Sequence, residues 1–230
     1  MKSKFSLLCV LTLFIGSSAP AQSPPSVSSV LDAQRQVKNY SSAVISPDGS
    51  RVAWVEGLEG GGSSRRLSAV WTASVAGGKP VRVTAASDGK NRREAGVAWS
   101  PDSQRLAFLS DAAREGQLEI YVAPASGYPI RQITRVIGQL SHLGWSPDGK
   151  SIAFLFVEGS TQEPGALVPY KLDSGVVEET FEEQRIAIVD VATGRVRTIS
   201  PADLYIYEYD WSPGGSHFAA TGAHGSGTNN

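Results

Sequence analysis

The chain has 230 residues, 19% of them charged, and a formal net charge of −1. Its longest basic runs are pairs of arginines, so it lacks the clustered cationic surface that binding to phosphate backbones requires, and nucleic acid is excluded as an expected partner. It has one cysteine, so no disulfide within the chain stabilises the fold.

The N-terminus has the pattern of a secretory signal. Lys2 and Lys4 precede an apolar stretch from Phe5 to Ile15, and Ala19-Pro20-Ala21 supplies a small-residue cleavage site. The apolar stretch is too short to span a bilayer as a helix. We therefore predict a signal peptide over residues 1–21, a periplasmic or secreted product, and no membrane association after cleavage.

A four-residue turn motif recurs along the rest of the chain. Proline presets φ at the second turn position, aspartate bonds its own backbone, and glycine accepts a positive φ. An apolar alternation typical of a strand follows each copy, so each copy predicts the tip of an antiparallel hairpin. The copies are Ser46-Pro47-Asp48-Gly49, Ser100-Pro101-Asp102-Ser103, Ser146-Pro147-Asp148-Gly149 and Ser212-Pro213-Gly214-Gly215.

Two further strands follow each of the first three hairpins in the sequence pattern. The third strand is predicted at Val70-Trp71-Thr72-Ala73 and its counterparts, and the fourth ends near Thr84, Thr134 or Ser200. Four short antiparallel strands joined by turns form the blade of a propeller. The predicted fold is all-β, an incomplete β-propeller over residues 41–230 after a linker over 22–40. Its blades span residues 41–84, 95–134, 140–200 and, in part, 206–222.

Unit lengths indicate where the repeat is interrupted. The first and third units exceed the roughly 40 to 50 residues that one blade needs, which predicts a loop from Gly57 to Arg66 and an insertion from Gly159 to Gln184. Insertions between strands fall on a propeller face, which is often the binding face. The fourth unit stops after its second strand, and about three and a half blades do not close a ring. We therefore expect further blades beyond the C-terminus, so that this sequence is a truncated one.

The repeated turn and its following strand resemble a known blade. Trp145-Ser146-Pro147-Asp148-Gly149 with Ile152-Ala153-Phe154 is similar to the WD40-like repeat of TolB and of the N-terminal propeller of the prolyl oligopeptidase (S9) serine peptidases. The early first repeat, the irregular units and the stretch from Tyr205 to Pro213 favour the peptidase family. The alternative is a TolB-like periplasmic propeller that binds proteins.

The resemblance to S9 peptidases implies a propeller that covers an α/β-hydrolase domain and restricts which peptides reach the active site. The partners it implies are a peptide substrate and that hydrolase domain, which this chain lacks. A G-x-S-x-G nucleophile elbow is missing, because the nearest string, Gly144-Trp145-Ser146-Pro147-Asp148, fails at its last position. We therefore expect a non-catalytic segment with no catalytic residue of its own.

The sequence offers few residues for a metal site or for catalysis on sugars. His142, His217 and His224 are scattered without carboxylates or cysteine at ligand spacing, so neither a metal nor a cofactor is expected. A propeller enzyme acting on sugars would need carboxylates or histidines that converge on the inner strands, and the sequence pattern places none there.

One acidic cluster is a candidate binding site. Glutamates at i and i+4 share one face of a helical turn, and carboxylates that face a cavity bind an ammonium group through charge-assisted hydrogen bonds. Dipeptidyl peptidases of the S9 family hold the N-terminal ammonium of a substrate with paired glutamates, and the resemblance implies that role here. A solvated acidic loop is the alternative. The cluster comprises Glu178, Glu179, Glu182 and Glu183.

Overall fold

The computed structural model describes residues 26–29, 38–58, 67–160 and 183–224. The chain divides into two compact units, Met1–Val37 and Lys38–Asn230. Of the first unit, residues 27–29 form a helical turn in which the backbone N–H of Ser29 donates to Ser26 Oγ at 3.1 Å. Within the described ranges, no helix has the length and hydropathy of a membrane span.

The second unit consists of three four-stranded antiparallel sheets and a two-stranded hairpin, and in every four-stranded sheet the strands lie in chain order. This architecture confirms the predicted all-β partial propeller. Blade 1 contains β1 (Tyr40–Ile45), β2 (Arg51–Leu58), β3 (Leu67–Ser74) and β4 (Val81–Val83). Blade 2 contains β5 (Glu94–Trp99), β6 (Arg105–Arg114), β7 (Gln117–Pro124) and β8 (Arg131–Gln132). Blade 3 contains β9 (Gly138–Trp145), β10 (Ser151–Glu158), β11 (Arg185–Asp190) and β12 (Val196–Thr198), and the hairpin contains β13 (Leu204–Trp211) and β14 (Phe218–His224).

Each Ser-Pro turn joins the first two strands of its sheet, as the turn chemistry predicts. In blade 1 the hydroxyl of Ser46 donates to Asp48 Oδ1 at 2.6 Å and accepts the backbone N–H of Arg51 at 3.0 Å. Hydrogen bonds from Ser46 and Ser50 lower the pKa of Asp48 to about 2, because they stabilise the charged carboxylate. Gly49 has a φ of 71°, in the left-handed region that favours glycine.

The two ends of the strands define two faces of the second unit. We call the edge that carries the four Ser-Pro turns the turn face. The opposite edge, which carries the connections between the second and third strands of each blade, is the loop face. The first strands contact one another in succession, β1 with β5, β5 with β9 and β9 with β13. Strands near the axis of a propeller approach most closely, so the first strands form its inner side.

Hydrophobic cores lie between successive sheets. On β6, Leu106 and Phe108 pack in the cluster shared with blade 1, whereas Ala107 and Leu109 pack in the cluster shared with blade 3. Because successive side chains of a strand point to opposite faces, both faces of the central strands are buried. A third cluster joins blade 3 to the hairpin through residues such as Leu155 and Ile206.

Tryptophan precedes the last three of the four turns, and each of these tryptophans packs in the cluster shared with the preceding sheet. Trp145 donates from Nε1 to the backbone carbonyl of Ala98 at 2.9 Å, and Trp211 repeats this contact with Gly144 at 3.1 Å. Trp99 is as buried as Trp145, but its Nε1 has no hydrogen-bond partner among the residues that the structure describes. The tryptophans therefore anchor successive blades to each other, and only Trp145 and Trp211 do so with an indole hydrogen bond.

Candidate functional site

The predicted acidic site lies mostly outside the described residues. Glu178, Glu179 and Glu182 fall in the segment between β10 and β11 whose placement is not described. Glu183 is described and half-buried, next to Gln184, whose side-chain amide donates to the backbone carbonyl of Ile206 at 2.7 Å. The described ends of the insertion, Ser160 and Glu183, therefore lie on the loop face, and Glu183 is beside the junction of blade 3 and the hairpin. Whether the four glutamates converge on an ammonium group stays a prediction.

The Ser-Pro turns hold their serines in structural roles. Ser146 donates its hydroxyl to Asp148 Oδ1 at 2.6 Å, and the same oxygen accepts the backbone N–H of Ser151 at 2.9 Å. Ser100 makes the equivalent pair of bonds with Asp102 and Arg105. Each hydroxyl donates one hydrogen bond and accepts another within its own turn. These serines therefore do not have the arrangement of an activated nucleophile.

Each inner strand carries an irregularity two to four residues before the residue that precedes its turn, and in β13 the unpaired residue is Tyr207. The pairing register shifts within β1, β5, β13 and between β9 and β10. A bulge of this kind inserts one extra residue, bends the strand and redirects a side chain. The residue three positions before the pre-turn residue is Ser42, Gly96, His142 or Glu208 in the successive sheets, and the first three have positive φ values of 52°, 48° and 54°.

Three exposed residues lie at or beside these bulges on β9 and β13, namely His142, Tyr207 and Glu208, and we call them the inner ridge. His142 and Glu208 each lie three residues before the residue that precedes their turn, and both are exposed. Tyr207 is also exposed, at 59%. The sequence pattern places no histidine or carboxylate on the inner strands, whereas in the structure His142 lies on β9 and Glu208 on β13. The signal that identifies the two residues is their common distance from the turn motif.

Tyr209 fixes the backbone of the inner ridge at His142. Its hydroxyl donates to the backbone carbonyl of His142 at 2.6 Å, and the two rings meet edge to face with centroids 5.1 Å apart. Burial raises the pKa of Tyr209, so this hydroxyl keeps its proton and remains a donor. The left-handed conformation of His142 is therefore supported from the neighbouring sheet.

The other two histidines lie away from the inner ridge. His217 directly precedes β14 and its Nδ1 is 2.8 Å from Ser216 Oγ. His224 ends β14, with Nδ1 3.4 Å from a carboxylate oxygen of Asp203. Over residues 38–58, 67–160 and 183–224, no three His, Cys, Asp or Glu side chains come together as metal ligands.

Two buried carboxylates in blade 2 stabilise the loop-face end of the fold. Glu94 is fully buried and accepts the Thr84 hydroxyl at 2.6 Å and the backbone N–H of Val70 at 3.2 Å, both from blade 1. Glu119 accepts the hydroxyl of Thr134 at 2.6 Å. Desolvation raises the pKa of both glutamates. Their local sequence does not signal these roles, because the partners are distant in the chain.

Comparisons with known proteins agree with this architecture. No protein-family model matches the chain. A TolB structure from Agrobacterium tumefaciens superimposes with a TM-score of 0.53 and 19% identity over 80% of this chain. The acylaminoacyl peptidase of Pyrococcus horikoshii superimposes with a TM-score of 0.53 and 12% identity over 78% of this chain. At these identities, the two structures establish the shared fold.

One relative found by sequence similarity is a peptidase. The chain is 34% identical over 107 residues, 46% of its length, to the uncharacterised peptidase YuxL of Bacillus subtilis. It spans 15% of that protein, 53% of the TolB structure and 27% of the acylaminoacyl peptidase. The structure and these comparisons together identify the second unit as part of a β-propeller of the kind found in TolB and in S9-type peptidases.

Proposed function

We propose that this chain is the substrate-gating β-propeller segment of an exported S9-type serine peptidase. The observation that carries the proposal is the 34% identity, over 107 residues, to an uncharacterised peptidase of Bacillus subtilis. In this arrangement the hydrolytic step belongs to an α/β-hydrolase domain outside residues 1–230. The propeller selects the peptides that reach that domain and contributes no catalytic residue.

Blade-to-blade contacts support a rigid gate. Polar contacts join successive sheets at Trp145 with Ala98 and at Tyr209 with His142, and hydrophobic clusters fill the spaces between the sheets. A rigid assembly of this kind admits an extended peptide more readily than a folded protein. The exposed groups of the inner ridge, His142, Tyr207 and Glu208, offer such a peptide hydrogen bonds and an aromatic surface.

Export is part of the proposal. The basic residues, apolar stretch and Ala19-Pro20-Ala21 support cleavage after Ala21 and a periplasmic or secreted location. Mass spectrometry of the protein isolated outside the cytoplasm is expected to show an N-terminus at Gln22. An intact N-terminus at Met1 in the cytoplasm would contradict export.

The reading frame beyond Asn230 tests the functional assignment directly. We expect it to complete the propeller and then to encode a G-x-S-x-G elbow, followed by an acidic residue and a histidine. A frame that completes the propeller without a hydrolase domain would contradict the proposal. That result would favour a TolB-like propeller that binds proteins.

A further inference from the structure

Tyr207 of the inner ridge is paired with a second tyrosine of β13, Tyr205. The ring centroids of the two residues lie 5.2 Å apart, with 55° between the ring planes. Tyr207 is 59% exposed and is the extra residue that β13 leaves out of its pairing with β14. A bulge redirects the side chain of its extra residue, and here the ring of Tyr207 comes to lie against that of Tyr205. The pair therefore presents an aromatic surface to solvent.

Glu208 lies on the same face of the hairpin as the two tyrosines. Tyr205 is opposite Ala223 and Glu208 is opposite Thr221, and residues two apart on a strand point to the same side of a sheet. Tyr207 reaches this face too, since its ring contacts that of Tyr205. The residues of the other face pack toward blade 3 in the third hydrophobic cluster. The aromatic pair and the carboxylate are therefore together on the face that is turned away from blade 3.

The carboxylate of Glu208 is available to a ligand. Its Oε1 accepts the hydroxyl of Thr221 at 3.2 Å, and it forms no ion pair with any residue that the structure describes. Residues 198–230 include three acidic side chains, Asp203, Glu208 and Asp210, and no lysine or arginine. A surface with an excess of one charge attracts ligands of the opposite charge and repels those of the same charge. This part of the chain therefore favours a cation over an anion.

An exposed aromatic ring beside a carboxylate suits a side chain that ends in a cation. An ammonium or guanidinium group is attracted to the face of an aromatic ring and forms charge-assisted hydrogen bonds with a carboxylate. The methylene groups of lysine and arginine also pack on apolar surfaces. We propose that Tyr207 and Glu208 bind a lysine or arginine side chain of the substrate peptide. This substrate class rests on the proposed function, because it assigns the inner ridge to a peptidase.

Competition between peptides on the full-length protein tests this preference. The probes are a pool of ten-residue peptides of varied sequence, each made in three forms, with lysine, norleucine or glutamate at one position. Norleucine keeps a straight apolar side chain and lacks the ammonium group. Mass spectrometry follows the consumption of each form and gives its relative kcat/KM. We expect the lysine forms to be consumed about three to ten times faster than the norleucine forms, and the glutamate forms to be the slowest.

Variants of the inner ridge separate this site from a pocket elsewhere in the protein. Glu208→Gln and Tyr207→Ala should each reduce the preference for lysine over norleucine at least about twofold. Tyr207→Phe keeps the aromatic ring and should retain the preference. The matched controls are Glu158→Gln, which removes another exposed carboxylate, and Tyr128→Ala, which removes a tyrosine that is 60% exposed outside the ridge. Both controls should retain the preference.

The outcomes distinguish the cation site from the function on which it rests. Equal consumption of the lysine and norleucine forms would overturn the cation site and leave the proposed function standing. A preference for lysine that Glu208→Gln and Tyr207→Ala leave unchanged would have the same consequence. A full-length protein that consumes no peptide of the pool would overturn the proposed function and the cation site with it.

Discussion

The side chain of Ser103 joins the turns of two blades, because its Oγ accepts the backbone N–H of Asp48 at 3.1 Å. Ser103 stands where the other three turns have glycine, and it adopts the same left-handed conformation, with a φ of 58°. A serine in this conformation carries strain that glycine avoids. The hydrogen bond to the preceding turn offsets this strain and explains why serine is present here.

Ser103 therefore gives a pair of variants with different expected costs. Ser103→Ala keeps the strain and loses the hydrogen bond, so we expect the free energy of unfolding to fall by about 1 kcal/mol. Ser103→Gly loses the same bond but relieves the backbone strain, so its cost should be smaller. Urea denaturation of both variants measures the difference. Equal destabilisation by the two substitutions would show that strain at Ser103 is negligible.

The indole contacts between blades predict a second difference. Trp145→Phe removes the hydrogen bond to Ala98 and weakens the stacking of Arg105, whose guanidinium carbon lies 4.6 Å from the ring centroid. We expect a loss of about 1–2 kcal/mol in the free energy of unfolding. Trp99→Phe is the matched control, because the buried Nε1 of Trp99 has no partner among the described residues. Trp99→Phe should lower the free energy of unfolding by less than Trp145→Phe does. If Trp99→Phe is the more destabilising of the two, the role assigned to the Trp145 hydrogen bond is wrong.

The glycines of the turns differ in their surroundings. An added Cβ at Gly215 would lie 3.2 Å from Cδ of Pro147 in the preceding turn, whereas one at Gly49 would have no neighbour within 4 Å. Both have a φ of 71°, so alanine is strained at either position. Gly215→Ala is expected to lower the thermal midpoint more than Gly49→Ala, because it also crowds the neighbouring blade. Similar decreases in the thermal midpoint of the two variants would show that the neighbouring turn moves to accommodate the added Cβ at Gly215.

Glu94 predicts a pH dependence of stability with a definite sign. Burial raises its pKa above the model-peptide value of 4.5, so the folded state binds this proton more tightly than the unfolded state. As pH falls from 7 toward 4.5, the free energy of unfolding should therefore increase relative to that of Glu94→Gln. Urea titrations at several pH values measure this difference. The Glu158→Gln variant, in which an exposed carboxylate is removed, is the control. If the free energies of unfolding of the unaltered protein and Glu94→Gln differ by the same amount at every pH in this range, the prediction is wrong.

The proposed function predicts that the inner ridge affects peptide hydrolysis by the full-length protein. His142→Ala and Glu208→Ala remove exposed groups from neighbouring inner strands, and we expect each to raise KM for a peptide of several residues by a few-fold. The rate with a small ester, which does not extend to the propeller, should be unchanged. Equal loss of activity toward the ester would indicate a defect in folding or in domain packing. The His217→Ala variant, outside the ridge, serves as the control.

Local sequence predicts the repeated parts of this fold well. The serine, proline and aspartate of the first three turns act on one another within five residues, so their pattern alone indicates the hairpin that they form. The apolar run from Leu106 to Leu109 likewise indicates a strand. These features depend on residues that are near neighbours in the chain.

The candidate sites depend on contacts that local patterns do not encode. His142 and Glu208 share only their distance from the turn motif, because the unpaired residue of β13 is Tyr207. The partners of Glu94, Thr84 and Val70, belong to another blade. Neither of these relationships follows from the hydrophobic pattern.

The location of the reactive serine tests the central claim most directly. The full-length protein, expressed from the complete gene, is labelled with a fluorophosphonate, digested and mapped by mass spectrometry. Our account predicts one labelled serine in a G-x-S-x-G sequence outside residues 1–230, with labelling abolished when that serine is replaced by alanine. A labelled serine within residues 1–230, or a full-length protein that is not labelled, would contradict the account.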